Sequence, residues 1–337
     1  MPANNLRFLP IFICSILFIG CQSNNTNNLE PEGLTDITDA IFTRTTSDCT
    51  EYAERYASLV TDIQRNERFQ GSVTVVTFLD DCTISVNGIP NHDFNDESAN
   101  FANQVEDVNR TFTIPRNPEK AAEPTALSQQ YFDAVMLNGV VVDMLSAGCY
   151  RPNGAQADKD GNVPVGCTPN DPWLVDPLGS DSKFGADANN AHTQPDGTYH
   201  YHGNPNAMFD DEPGPNGSPV IGFAADGFPI YGSYFLDPQT NSVRKAVSGY
   251  SLKDGGRPGP DDNNPGGAYN GLYVDDYEFT NAGDLDECNG MTLNGQYSYY
   301  VTDAYPWIIG CHSGTPDPSF LKGQGKFKEV QAWHHEH

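Results

Sequence analysis

The chain has 337 residues, of which 45 are acidic and 18 are basic, so its formal net charge at pH 7 is −27. A charge of this sign and size repels phosphate backbones and anionic lipid headgroups, which excludes nucleic acid as a partner. The acidity does not by itself identify a cation site, because an ordinary solvated acidic surface has the same composition.

The first 21 residues have the pattern of a bacterial lipoprotein signal. Arg7 precedes a short apolar run that ends just before Cys21, and cleavage there would leave this cysteine first. We therefore expect Cys21 to carry a lipid, and we expect Gln22 after it to direct the protein to the outer membrane or cell surface. Residues 22–35, which are rich in asparagine, predict a flexible tether. The membrane is then contacted through the lipid anchor alone.

Six cysteines follow the signal sequence, and disulfides form and persist in exported proteins. They are Cys49, Cys82, Cys149, Cys167, Cys288 and Cys311. Six cysteines allow many pairings, and sequence proximity alone favours joining 49 to 82, 149 to 167 and 288 to 311. Because no Cys-x-x-Cys occurs, a zinc ribbon and a thioredoxin-like site are disfavoured, and histidines and carboxylates remain the candidate metal ligands.

The N-terminal part of the chain predicts a small α+β module over residues 36–110. Apolar residues recur at spacings of three and four over residues 45–65, after Asp48 as a possible cap, which predicts one clear amphipathic helix. Residues 71–79 and 83–86 are rich in β-branched side chains and predict strands. This module either stands alone or packs onto the rest of the chain as a single unit.

Residues 111–330 have Gly and Pro every few positions, with short extended runs between them. These runs are residues 111–114, 134–142, 220–223, 230–235 and 297–301. The predicted fold class is therefore predominantly β with long ordered loops, stabilised by disulfides. Residues 331–337 contain three histidines and form a tail that would bind transition metals adventitiously.

Three of the eight histidines lie within residues 192–202. If this segment is extended, His200 and His202 project from one face of the strand and the neighbouring tyrosines from the other. A turn at residues 196–197 would bring His192 to the same place. Since neutral imidazole is a common zinc and copper ligand, the three histidines predict a metal site. The alternative is a half-buried strand whose histidines bond to water or to neighbours.

The sequence Tyr-His-Tyr-His at residues 199–202, with Ala191-His192 and Asp196-Gly197 before it, resembles the signature of the bacterial YHYH family of secreted proteins. Three further segments resemble family segments in the same order: residues 223–232, 283–290 and 314–317. The resemblance covers about residues 111–320. It implies an exported domain with a metal-binding role. His312 is not carried over as a ligand, because a bulky or aromatic residue is more usual after the cysteine.

Two acidic residues are further candidate ligands. Asp226 precedes a glycine and predicts a hairpin turn, with an oxygen ligand to the histidine site as the alternative. Glu287 belongs to an acidic cluster that predicts either a solvated loop or a reserve ligand. Calcium is a candidate at residues 158–162 and 259–267, although both compositions equally predict exposed turns. His92 has no partner nearby in sequence and predicts a surface loop residue.

Three functions are compatible with these features. The first is an envelope-anchored lipoprotein that binds copper or zinc through the three histidines. The second is a metal-dependent hydrolase or copper oxidoreductase that uses the same ligands, with an open coordination position for water or oxygen. The third is a structural or carbohydrate-binding surface lipoprotein. Residue patterns for nucleophilic catalysis are absent from the sequence, and the question of a protein partner stays open.

Overall fold

The computed structural model describes residues 33–323 and places most of its regular structure in β-strands. The first five strands form one sheet in chain order: β1 (Leu34–Asp36), β2 (Arg55–Asp62), β3 (Glu67–Thr77), β4 (Asp81–Val86) and β5 (Arg110–Pro115). Strand β1 is parallel to β2, and the other neighbours are antiparallel.

Sixteen shorter strands follow. In chain order they are β6 (Thr125–Ala126), β7 (Ala134–Met136), β8 (Val141–Val142), β9 (Cys149–Tyr150), β10 (Asn162–Val163), β11 (Ala191–Thr193), β12 (Tyr199–Tyr201), β13 (Val220–Ala224), β14 (Pro229–Tyr231), β15 (Tyr234–Asp237), β16 (Ser242–Lys245), β17 (Tyr250–Leu252), β18 (Tyr277–Phe279), β19 (Gly290–Leu293), β20 (Gln296–Tyr300) and β21 (Cys311–His312). Eight of them form a second, mixed sheet in the order β11, β12, β8, β7, β13, β14, β20, β19. The three 3-10 turns are Cys49–Tyr52, Val274–Asp276 and Pro318–Phe320.

The eight-stranded sheet is covered on both faces. One face packs against the five-stranded sheet, where Ile84 and Phe112 meet Val135 and Phe223 in one apolar cluster. The other face belongs to a second cluster, which includes Tyr201. Strands β4 and β5 therefore alternate between buried and half-buried residues, whereas β7 and β13 are buried throughout. This is the pattern expected when a sheet is covered on both sides.

The helix predicted over residues 45–65 is wrong. Residues Cys49–Tyr52 form a single 3-10 turn, which is capped by the Asp48 side chain, and Arg55–Asp62 form strand β2. Strand β2 pairs with β3 along all eight of its residues, so its backbone hydrogen bonds are made across the sheet. Tertiary pairing here overrides a short helical spacing of apolar residues.

The predicted strands and the predominantly β fold class are confirmed. The three disulfides are also those that sequence proximity favoured: Cys49 to Cys82, Cys149 to Cys167 and Cys288 to Cys311. The first of them joins the 3-10 turn to β4. The extended run predicted at residues 134–142 forms two strands, β7 and β8, which pair as a tight hairpin.

The described residues from Gly33 onward form one compact unit. Strand β5 crosses the predicted boundary at residue 110 and pairs with β4, and β1 includes the last two residues of the predicted tether. The signal sequence, the lipidated Cys21, residues 22–32 and the histidine-rich tail 331–337 lie outside the described residues. Within residues 33–323 we found no helix with the length and apolar character needed to cross a membrane.

Replacing Ile84 with alanine tests the packing between the sheets. This side chain is 0% exposed on β4, which is paired on both sides, so the cavity should lower the free energy of unfolding by about 2–5 kcal/mol. The matched control is Leu79→Ala at the 85% exposed tip of the β3–β4 connection, which should change it by less than about 0.5 kcal/mol. Urea unfolding followed by circular dichroism measures both. Equal effects would contradict the assignment of the core.

Candidate metal centre

A β-hairpin at the edge of the eight-stranded sheet presents the histidines. Strands β11 and β12 are antiparallel, with His192 directly opposite His200. The connecting turn contains Gly197, whose φ of +84° is in the left-handed region that favours glycine. A Cβ there would lie 2.4 Å from the side chain of Glu106. The Asp196-Gly197 turn expected from the sequence is therefore present.

The tyrosines of β12 fix the opposite face of the strand. Tyr199 and Tyr201 are both 0% exposed, and each hydroxyl has a buried partner. Tyr199 donates to Asp187 at 2.7 Å, and the hydroxyl of Tyr201 lies 2.6 Å from Nε2 of His92 and accepts from Asn138 at 2.9 Å. The predicted alternation of tyrosine and histidine faces is present.

His92 is not the surface residue that the sequence predicts. Its side chain is 3% exposed, and Nδ1 lies 2.8 Å from the backbone oxygen of Asp93 while Nε2 contacts Tyr201. The long-range contact with β12 joins residues 109 positions apart, which no local pattern indicates. His92 therefore supports the tyrosine face of the strand. His312 is also buried, with Nε2 donating to the backbone oxygen of Asp133 at 3.0 Å.

The three candidate histidines converge through one nitrogen each. Nε2 of His202 lies 3.0 Å from Nε2 of His200 and 3.0 Å from Nε2 of His192. One ligand atom from each ring falls within 4.8 Å of the others, and this is the single group of three or more histidine, cysteine or acidic side chains of that kind within residues 33–323. His200 and His202 are 2% exposed, whereas His192 is half-buried.

Backbone carbonyls orient two of the rings. Nδ1 of His192 lies 3.0 Å from the oxygen of Phe184, and Nδ1 of His200 lies 3.1 Å from the oxygen of Thr198. A carbonyl only accepts, so each Nδ1 carries the proton and donates it, which leaves the Nε2 lone pair directed into the cluster. This is the arrangement that supports a metal-ligating histidine.

The spacing of these nitrogens fits a metal ion. Nε2 of His202 lies 3.0 Å from the Nε2 atoms of both other rings, whose lone pairs face it. With metal–nitrogen bonds of about 2.0–2.1 Å, nitrogens on one ion lie about 2.8–3.4 Å apart for ordinary bond angles. Two of the three nitrogen pairs are therefore already at the separation that zinc or copper requires, and the third pair lies within 4.8 Å.

Burial keeps the three rings neutral. It lowers the pKa of His192 to about 3, with repulsion from His200 as a second cause, and it lowers the pKa of His200 to about 4. Burial, with the two neighbouring rings as further causes, lowers the pKa of His202 well below its usual value. At neutral pH no proton competes for the Nε2 lone pairs, so the cluster is ready to bind a cation.

The structure does not bring Asp226 or Glu287 into this cluster. Strands β12 and β13 are separated by β8 and β7, about 14 Å at the usual strand spacing, so the turn after β13 is remote from the histidines. The carboxylate of Asp226 instead accepts from the Tyr299 hydroxyl at 2.6 Å and the Gly314 amide at 2.8 Å. Glu287 is an exposed loop residue. The turn interpretation of Asp226 is the one the structure supports.

The two calcium candidates are ordinary turns. Asp158 accepts from the amides of Asp160 and Asn162, and Asp261 accepts from the amides of residues 263 and 264. Backbone donors therefore occupy the carboxylate oxygens in both loops. Neither loop contributes to a cluster of converging ligand atoms within the described residues.

Sequence reasoning missed Asp143 and Lys322 beside the histidines. Asp143 directly follows β8, which runs parallel to β12, and its Oδ2 accepts from Lys322 Nζ at 2.5 Å and from the Gln194 amide. The sequence does contain one signal for Asp143: it is a charged residue directly after the apolar run 140–142, which forms a buried strand. Lys322 could not be found in this way, because it lies 179 residues further along the chain.

Fold and site together define a disulfide-linked β protein with a buried three-histidine cluster at a sheet edge. The family model described as "YHYH protein" matches residues 111–314, well over half of the chain, so this chain belongs to the YHYH family. The match confirms the resemblance carried by residues 199–202. Searches of curated proteins and of solved structures found no match.

The depressed histidine pKa values predict a pH-dependent stability in metal-free protein. His200 takes up a proton near pH 6.5 when unfolded but only near pH 4 when folded, so its stabilising contribution is complete above pH 6.5 and is lost as the pH falls towards 4. The loss is on the order of 3 kcal/mol. Urea unfolding of chelator-treated protein between pH 6.5 and pH 4 gives the free energy of unfolding at each pH. This free energy should fall less steeply with decreasing pH in His200→Gln than in the parent protein. The same slope in both proteins would contradict a buried neutral ring.

Proposed function

We propose that the protein binds a transition metal, copper or zinc, at the bacterial cell envelope. The observation that carries this proposal is the convergence of the Nε2 atoms of His192, His200 and His202 at 3.0 Å contacts. Three neutral imidazoles are a donor set suited to zinc and copper. Calcium prefers oxygen ligands and is disfavoured by this set.

Binding is favoured over catalysis by the burial of the centre. Two of the three rings are 2% exposed, and only His192 reaches towards solvent. An ion can enter beside His192, whereas a substrate needs a cleft that exposes an open coordination position. A non-catalytic metal site is therefore the function that the geometry supports best.

The location of the protein is part of the proposal. Cys21 follows an apolar run of the kind that precedes lipidation in bacterial exported proteins. The three disulfides are compatible with an oxidising compartment outside the cytoplasm. A lipid at Cys21 would hold the metal site at the envelope surface.

Metal content tests the binding proposal. We expect periplasmically produced protein, with His334, His335 and His337 replaced by glutamine, to hold about one equivalent of zinc or copper by elemental mass spectrometry. His200→Ala/His202→Ala in that background should lose the metal, because two of the three nitrogens are gone.

The matched control is His312→Gln, which removes a buried histidine outside the cluster and should leave the metal bound. Circular dichroism checks that each variant is folded. Absence of metal from the parent after reconstitution with either ion would overturn the proposal, as would equal metal content in the double variant.

Replacing the predicted lipid attachment residue tests the location. Cys21→Ser should abolish incorporation of radiolabelled palmitate and release the protein from the membrane fraction, because the thiol is the expected site of acylation. The control is Cys14→Ser, within the apolar run, which should remain labelled. Membrane association that survives Cys21→Ser would contradict lipid anchoring.

A further inference from the structure

We propose that Asp143 supplies the anionic fourth group of the three-histidine centre, and that Lys322 holds this carboxylate when no metal is bound. The inference rests on the proposed metal-binding function. It assigns the missing oxygen ligand to a residue on the strand beside the histidines, in place of Asp226 or Glu287.

Strand register puts Asp143 next to the cluster. His200 is opposite Val141 and Tyr201 is opposite Val142 in the parallel β12–β8 pair, and the Asp143 amide donates to the Tyr201 oxygen at 3.1 Å. The next positions along the two strands are His202 and Asp143. Side chains at paired positions share a face of the sheet, so Asp143 is on the histidine face.

One of the two carboxylate oxygens of Asp143 is available as a metal ligand. Its side chain is 4% exposed, and Oδ2 accepts from Lys322 and Gln194. The other oxygen, Oδ1, is buried and accepts no hydrogen bond from the described residues. A buried carboxylate oxygen without a donor is costly, and a metal ion would satisfy it.

The charges of this pair lie on the strand beside the proposed ion, because Asp143 follows Val142, the partner of Tyr201, and its Oδ2 accepts from Lys322. A divalent ion held by three neutral imidazoles brings two positive charges into a buried place. The nearby carboxylate offsets that charge, and the ammonium group repels it.

Lys322 is positioned so that a metal ion can replace its ammonium group beside the carboxylate of Asp143. Its backbone amide donates to the oxygen of Gln130 at 2.8 Å, which fixes the chain, while its side chain is 23% exposed. The ammonium group lies 5.2 Å from the centre of the Phe132 ring and can turn towards solvent. Lys322 then acts as an internal cation that the metal displaces from Asp143.

Calorimetric zinc titration and the visible spectrum of the cobalt(II)-loaded protein test these roles. Both use the full chain with the three tail histidines replaced by glutamine. Asp143→Asn should lower zinc affinity about 10- to 100-fold and change the cobalt ligand-field bands, because a charged oxygen donor is lost. Lys322→Met should raise zinc affinity about 5-fold, because a competing charge of a partly exposed pair is removed.

Two further variants keep the test decisive. Asp143→Asn/Lys322→Met removes both charges, which protects against misfolding of the single variant, and it should still bind zinc more weakly than the parent. Lys120→Met removes a lysine paired with Asp286 and should leave affinity unchanged. Parent protein that binds none of zinc, cobalt and copper would overturn the metal-binding function itself. Binding by the parent, with affinity and cobalt spectrum unchanged in the Asp143 variants, would overturn only the ligand role. Unchanged or lower affinity in Lys322→Met would overturn the exchange.

Discussion

The site depends on one short strand, β12, which is buried on both faces with different chemistry on each. On one face the hydroxyls of Tyr199 and Tyr201 reach Asp187, His92 and Asn138, so the strand cannot slip by one residue without burying unpaired polar groups. That fixed register forces His200 and His202 onto the other face. The tyrosines of the motif therefore position the histidine cluster from the opposite face of the strand.

The second constraint is electrostatic. Burial removes water from three imidazoles and places their nitrogens within contact distance, which disfavours protonation of each ring. Around this cluster Lys322 is paired with Asp143, and Arg110 is paired with Asp196. These ion pairs offset the cost of burying the charges while no metal is bound. The overall negative charge attracts cations over longer distances without selecting among them.

Local patterns predicted the parts of the fold whose causes are local. Alternation of tyrosine and histidine predicted the two faces of β12, the Asp-Gly pairs predicted both turns, and cysteine proximity predicted all three disulfides. The same reasoning failed at residues 45–65, where the spacing of apolar residues fits a helix, whereas the strand that forms there buries Ser58, Val60 and Asp62. Pairing with β3, which local spacing cannot reveal, decided between them.

The sequence by itself determined the β-rich class, the family and the three histidines, because each is written in adjacent residues or in short repeats. Only the tertiary structure decided which acidic residue lies beside them. Asp226 and Glu287 were plausible ligands by chemistry, but the sheet order separates β13 from β12 by two strands. Asp143 is brought beside the histidine strand by a parallel strand pair, and Lys322 reaches Asp143 across 179 residues. Long-range pairing is set by the packing of the whole chain, and no local pattern encodes it.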